Sequence, residues 1–144
     1  MATIGAAMHT KPVQVGDTHV KLVIWDIAGQ DDFEQLRKAY YQNASGAFFV
    51  FDTTSPDSLD RFEEWLEALY SVTSEIPVVL LENKVDLESQ MDPKRVDALC
   101  KKYEFEHIRT SAKEDTNVEA AFLKVTSEIL ENARSKKPVK RTTQ

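Results

Sequence analysis

Between His19 and Asp26, apolar Val20, Leu22 and Ile24 alternate with Lys21, Val23 and Trp25, the period-two pattern of a strand with one face buried. A short strand at about Pro12 to Val15 precedes it. Gly16-Asp17 between the two predicts an antiparallel hairpin, and residues 1–11 are too weakly patterned to be read as more than a leading loop. After Gly29-Gln30, the residues Phe33, Leu36, Arg37, Tyr40 and Tyr41 recur at helical spacing, predicting a short, half-buried helix. The pattern then changes. Gly46 to Asp52, GAFFVFD, is a continuous apolar run, which suits a strand covered on both faces of a parallel sheet. Ser55-Pro56 reads as the cap and first residue of a helix whose buried stripe is Phe62, Trp65, Leu66 and Leu69. The unit repeats: Ile76 to Leu81 is a second buried strand, Asp92-Pro93 a second cap, and Val96, Leu99, Cys100 and Tyr103 a second stripe. A last strand, about Glu106 to Thr110, precedes a closing helix, roughly Val118 to Ala133, that buries Phe122, Val125, Ile129 and Leu130.

Strands that alternate with helices specify an α/β fold, a doubly wound and mostly parallel sheet with one antiparallel edge hairpin. The 144 residues suit one domain with a sizeable core. Charge divides the chain. The net charge is −6, yet Arg134, Lys136, Lys137, Lys140 and Arg141 fall in the last eleven residues with no acid among them, and without those five there are 13 basic residues against 24 acidic. Residues 1–133 are therefore expected to be the folded body and 134–144 a basic, disordered tail. An acidic body argues against nucleic acid as a partner. The tail could touch an anionic membrane, at roughly 1 kcal/mol per basic side chain. Cys100 is the only cysteine, so no disulfide closes within the chain, and a cytoplasmic location is expected. No run is long enough to span a membrane, and the chain ends Thr142-Thr143-Gln144 with no cysteine to carry a prenyl group, so any membrane contact is expected to be indirect.

Three polar clusters follow predicted strands on one edge of the sheet: Asp26 to Gln30 (DIAGQ), Asn83 to Asp86 (NKVD) and Ser111 to Lys113 (SAK). In open α/β sheets ligands bind at that edge. Each cluster alone matches an ordinary loop, but the ordered set is much harder to obtain by chance. Together they resemble the Ras-like small GTPases, and WDIAGQ is most similar to the Rab branch. The resemblance covers about residues 3 to 130. It implies a P-loop NTPase fold, binding of GTP and GDP with Mg²⁺, and a switch role in vesicle traffic, peripheral at endomembranes.

By the same resemblance, Asp86 would accept two hydrogen bonds from the guanine edge, Asn83 would tie the loops together, and the Lys84 stem would cover the ring. Ser111, Ala112 and Lys113 form the second guanine loop, with the Ala112 N–H donating to the guanine oxygen. Asp26 and Thr3 resemble the residues that hold Mg²⁺. The Gly29 N–H would sense the γ-phosphate and Gln30 would orient the attacking water. Effectors and regulators would dock on Thr3 to Gly5 and on Gln30 to Tyr41. The pattern KAYY at Lys38 to Tyr41 and the run Arg109 to Val118 are similar to the Rab twenty-three subgroup.

Departures matter too. The family's G-x-x-x-x-G-K-[ST] phosphate loop does not occur around Gly5, Gly16, Gly29 or Gly46. Residues 1–133 are thus expected to be an incomplete G domain without its first strand, phosphate loop and first helix. In the family that strand lies between the one ending at Asp26 and the one ending at Asp52. Without it, these two would either leave a gap or pair with each other. Nucleotide affinity and turnover are expected to be poor, and GTPase activity doubtful. Two other readings stay open: a fragment that binds partners without nucleotide, and a truncated product with no activity. Ile27 and Glu82 also depart from the family pattern, with no consequence visible in the sequence. His9, His19 and His107 show no metal spacing and read as surface or strand histidines.

Overall fold

The computed structural model describes the backbone of residues 6–27 and 39–142, and side chains within 8–26 and 39–135. The first elements are an antiparallel hairpin of β1 (Ala6–Val15) and β2 (Thr18–Ile27). Gly16, at φ +59°, occupies the first central position of the two-residue connection, where hairpin turns of type II′ place glycine. The first strand is longer than periodicity suggests. It begins at Ala6 rather than Pro12, because each of its ten residues finds a partner across β2, from Ala6 opposite Ile27 to Val15 opposite Thr18.

A second, parallel sheet has the order β3-β4-β5, built from Ala47–Asp52, Val78–Asn83 and Glu106–Arg109. It is joined by the helices α1 (Phe62–Val72) and α2 (Pro93–Tyr103), and α3 (Val118–Thr142) closes the chain. The central strand reads as expected for a strand covered on both faces, with Val78, Val79 and Leu80 all buried. Around it packs an aromatic cluster centred on Phe62, which is fully buried. Its ring lies 5.0 Å from Phe49, 6.1 Å from Trp65, 5.9 Å from Tyr103 and 6.2 Å from Phe105.

Of the two outcomes expected for the strands ending at Asp26 and Asp52, the first occurs. β2 and β3 belong to separate sheets, and β3 hydrogen-bonds to β4 alone among the described strands. The hairpin is held to the rest mainly through α3: Lys11 bonds Glu119 at 2.6 Å and lies over the Phe122 ring, which in turn meets Phe48 edge-on at 5.6 Å.

Two helix boundaries differ from expectation. Ser55 does not cap a helix through its side chain. Instead Ser58 Oγ donates to the Ser55 carbonyl at 2.7 Å and accepts from the Asp52 N–H at 2.8 Å, closing Pro56–Leu59 into a 3-10 turn that buries Leu59. The α-helix therefore starts only at Phe62. The last helix overruns Ala133 and continues to Thr142, through a segment whose lack of an apolar stripe gave no sign of it. Asp92-Pro93, by contrast, opens α2 as predicted, with Asp92 Oδ1 accepting from the Lys94 N–H at 3.0 Å. Of the helix expected around Phe33 to Tyr41 only residues 39–41 are described. They are helical, with Tyr41 in the core and Tyr40 5.3 Å from the Trp25 ring. No helix among the described residues is long and apolar enough to cross a membrane.

Candidate functional site

The parallel sheet ends β3, β4 and β5 on one edge, and there the chain turns polar three times: Asp52-Thr53-Thr54, Asn83 to Asp86 and Thr110 to Lys113. The register Glu82 opposite Arg109 sets Asn83 beside Thr110. Asn83 Oδ1 accepts from the Ala112 N–H at 3.2 Å and from Thr110 Oγ1 at 3.3 Å. Backbone bonds seal the same seam: Thr110 N–H to Glu82 O at 2.7 Å, and Val85 N–H to Thr110 O at 3.1 Å. Ser111, 1% exposed, donates its hydroxyl to Asp86 Oδ1 at 2.7 Å, and its Oγ accepts from the Glu114 N–H at 3.1 Å. Asp86 stays exposed, with Oδ1 held by the buried Ser111 hydroxyl.

Lys84 sits at φ +64°, a backbone region that side chains other than glycine's enter at a cost of order 1 kcal/mol. Backbone bonds flank it, from the Val85 N–H to Thr110 O at 3.1 Å and from the Leu87 N–H to Lys84 O at 2.9 Å, and its ammonium group lies 2.8 Å from Asp52 Oδ2. Asp52 is itself oriented: Oδ1 accepts from both the N–H (2.8 Å) and the hydroxyl (2.7 Å) of Thr54. The Lys84 hydrogen bond and these two donors hold the Asp52 carboxyl down at about 2, and Asp52 raises the Lys84 ammonium in return. This ion pair links the Asn83 to Asp86 loop to the end of β3.

The structure thus brings together Asn83, Asp86, Ser111 and Ala112 by direct bonds, and Lys84 joins them through Asp52. Lys113 is exposed beside them. Asp26 lies elsewhere in the topology, exposed near the end of β2 and opposite Ala7 in the hairpin. Thr3, Gly5, Gly29 and Gln30 lie outside the described residues. Among the described residues no three His, Cys, Asp or Glu side chains gather to hold a metal ion. Asp26 supplies one exposed carboxylate, an oxygen donor of the kind Mg²⁺ takes.

A family model described as Ras family matches residues 1–131. The chain belongs to the Ras family. A curated relative of this Ras-family chain is the GTP-binding protein yptV5 of Volvox carteri, 39% identical over 142 residues that take in 92% of this chain and 69% of the relative. Sequence reasoning missed Asp52, Thr53 and Thr54 as part of the site. A signal was present: they end the apolar run GAFFVFD on the same edge as the other two polar turns.

Proposed function

We propose that this Ras-family chain is a Rab-type small GTPase sequence whose Asn83 to Asp86 and Ser111 to Lys113 loops read a guanine base, as part of a GTP/GDP switch in membrane traffic. The observation that carries the reading is that Asn83 Oδ1 and Ser111 Oγ tie the two loops into one unit, at 3.2 Å to Ala112 N–H and 2.7 Å to Asp86. Asp86 then offers a carboxylate to the base's N1 and exocyclic amine, a bidentate contact that adenine cannot return. The Ala112 N–H, on exchanging Asn83 Oδ1 for the guanine oxygen, and the Lys84 stem would complete the base pocket. The relative named as a GTP-binding protein supports the same reading.

In the hydrolytic step Gln30 would orient water in line with the terminal phosphate, and Gly29 would donate its N–H to that phosphate. Asp26 and Thr3 would hold Mg²⁺, which when bound supplies neutralising charge to the phosphates. The 144 residues contain no G-x-x-x-x-G-K-[ST] cradle, so this chain by itself is proposed to bind nucleotide weakly and turn it over slowly. The proposed location is the cytoplasm, peripheral at endomembranes. The runs at Lys38 to Tyr41 and Arg109 to Val118 favour the Rab twenty-three subgroup. Titration with a fluorescent GTP analogue and Mg²⁺, chased with GTP or ATP, tests this. GTP should displace the probe at lower concentration than ATP, with affinity in the micromolar range or weaker. Equal displacement by ATP would remove the guanine reading, and binding well below micromolar would remove the weak-affinity claim.

A second reading, partner binding without nucleotide, is supported by the outer face of the hairpin. Met8, Val23 and Trp25 are 56%, 52% and 44% exposed there, and Tyr40 lies against Trp25. Effectors and regulators are proposed to dock on this face together with Thr3 to Gly5 and Gln30 to Tyr41. Tyr40→Ala is the clean probe, since Tyr41 belongs to the core. Capture that ignores added GTP and is lost in Tyr40→Ala would favour this reading.

A further inference from the structure

Directly before Asn83 stands a buried carboxylate. Glu82 is 5% exposed, and its Oε2 accepts from Thr53 Oγ1 at 2.6 Å while Oε1 lies 2.9 Å from His107 Nε2 and 3.7 Å from Arg109 Nε. Burying a carboxylate is costly unless it is bonded on every side, so a glutamate kept here asks what its bonds accomplish. The answer runs through Thr53, which is fully buried. Its hydroxyl also meets Ser89 Oγ at 2.9 Å, its carbonyl accepts from the Gln90 N–H at 2.8 Å, and its own N–H donates to the Asn83 carbonyl at 3.0 Å. Residue 53 therefore touches the entry and the exit of the 84–91 loop, at Asn83 and Gln90 through its backbone and at Ser89 through its hydroxyl. Glu82 fixes its rotamer from below, while His107 and Arg109 fasten the same carboxylate to β5.

We propose that Glu82 is the positioning residue of the base-reading loops: through Thr53 it clamps both ends of the 84–91 segment, and through His107 it locks that segment to β5, so that Asn83 and Asp86 face the Ser111 loop in one arrangement. This rests on the guanine reading above for its consequence, but the clamp itself is a property of the fold. An apolar residue in place of Glu82 leaves no buried charge unpaired, because Arg109 is 54% exposed and can turn to solvent, and the Thr53 hydroxyl keeps Ser89 Oγ. The role of Glu82 separates from that of an ordinary core residue on this point: losing it should loosen the loop without loosening the protein.

The test uses the whole chain and two variants, Glu82→Leu and Thr53→Val. Thr53→Val removes the clamp from the other end; because it leaves Glu82 Oε2 without its donor its melting temperature should fall, so its exchange is read as the difference from Leu80. Amide hydrogen exchange is read at Gln90 and Val85, with Leu80 in the central strand as reference, alongside the melting temperature. Each variant should speed exchange at Gln90 and Val85 about tenfold more than at Leu80, or about 1.4 kcal/mol by the tenfold constant. The double variant should add little to either single one, because both act through one clamp. Exchange at wild-type rates, or acceleration shared equally by Leu80, would overturn the proposal. In parallel, the preference for GDP over IDP, which lacks the exocyclic amine, is measured by displacement. A wild type without preference sinks the guanine reading and leaves the exchange result standing. A wild-type preference that survives in a variant whose loop has loosened overturns the positioning role.

Discussion

Asn83 is the residue at which stability and recognition can be separated. Its Oδ1 is the shared acceptor for the Ala112 N–H at 3.2 Å and the Thr110 hydroxyl at 3.3 Å, both at the long end of the hydrogen-bond range. Asn83→Ala removes both. The Ala112 N–H is exposed and water can replace its partner, so that loss is worth about 0.5 kcal/mol, the low end for a neutral bond. Thr110 is only 5% exposed, and its hydroxyl is left with the Glu82 carbonyl at 3.4 Å. A buried hydroxyl so poorly partnered costs about 1–2 kcal/mol. The expected total is about 2 kcal/mol, or roughly 6 °C in melting temperature for a chain of this size. Asn83→Asp keeps an acceptor at the same place and strengthens it with charge. It should lose less than about 1 kcal/mol while surrendering the carboxamide N–H₂ that the base edge would meet. Urea unfolding followed by tryptophan fluorescence measures both. Asn83→Ala within about 0.5 kcal/mol of wild type, or Asn83→Asp as damaging as Asn83→Ala, would refute the idea that the Oδ1 acceptor joins these loops.

Two further outcomes follow from the packing and the ion pair. Asp52 is held down to about 2 in the folded chain against an ordinary 3.8. A depressed carboxyl stabilises the fold above the ordinary value, and that contribution disappears as the pH falls from about 4 toward 2. Asp52→Asn should flatten the stability profile in that window and leave the slope between about pH 5 and 9 unchanged, as read by urea midpoints at stepped pH. Phe62→Ala empties the centre of the aromatic cluster and should cost about 3–5 kcal/mol, enough to leave a domain of ordinary stability barely folded; a urea midpoint near wild type would place the core elsewhere.

What the sequence disclosed and what it withheld divide along physical lines. The buried strands were legible because GAFFVFD and the run Ile76 to Leu81 leave no polar face, and α2 because Asp92-Pro93 is a strong local signal. The start of β1 was not. Ala6 to Lys11 become a strand only by pairing with β2, and pairing across a hairpin leaves little trace in composition. The 3-10 turn escaped because Ser58, three residues past the expected cap, bonds the Ser55 carbonyl instead. Asn83, Asp86, Ser111 and Ala112 were singled out from motif and edge position, and they lie together at the sheet edge. Glu82 and Thr53 were not, since a buried acid and a threonine 29 residues apart show nothing in common until the strands are laid side by side. Cys100, read as core, is half-buried, and burial raises its thiol. Glu63, Glu64 and Glu67 are exposed, as the face opposite the apolar stripe should be, and Glu63 bonds Lys102 and Tyr103 at that surface.

The outer margin of β3 has a consequence for handling the protein. Among the described residues nothing pairs with it, Val50 stands 57% exposed along it, and the strand AFFVFD carries no lysine, proline or bulge to discourage a stranger's backbone. Such a margin is sticky toward any extended chain, its own kind included, and the net charge of −6 supplies the repulsion that opposes clumping. Concentrated stocks should therefore keep longest in low salt at a pH well above the carboxylate range, where like charges hold neighbouring molecules apart.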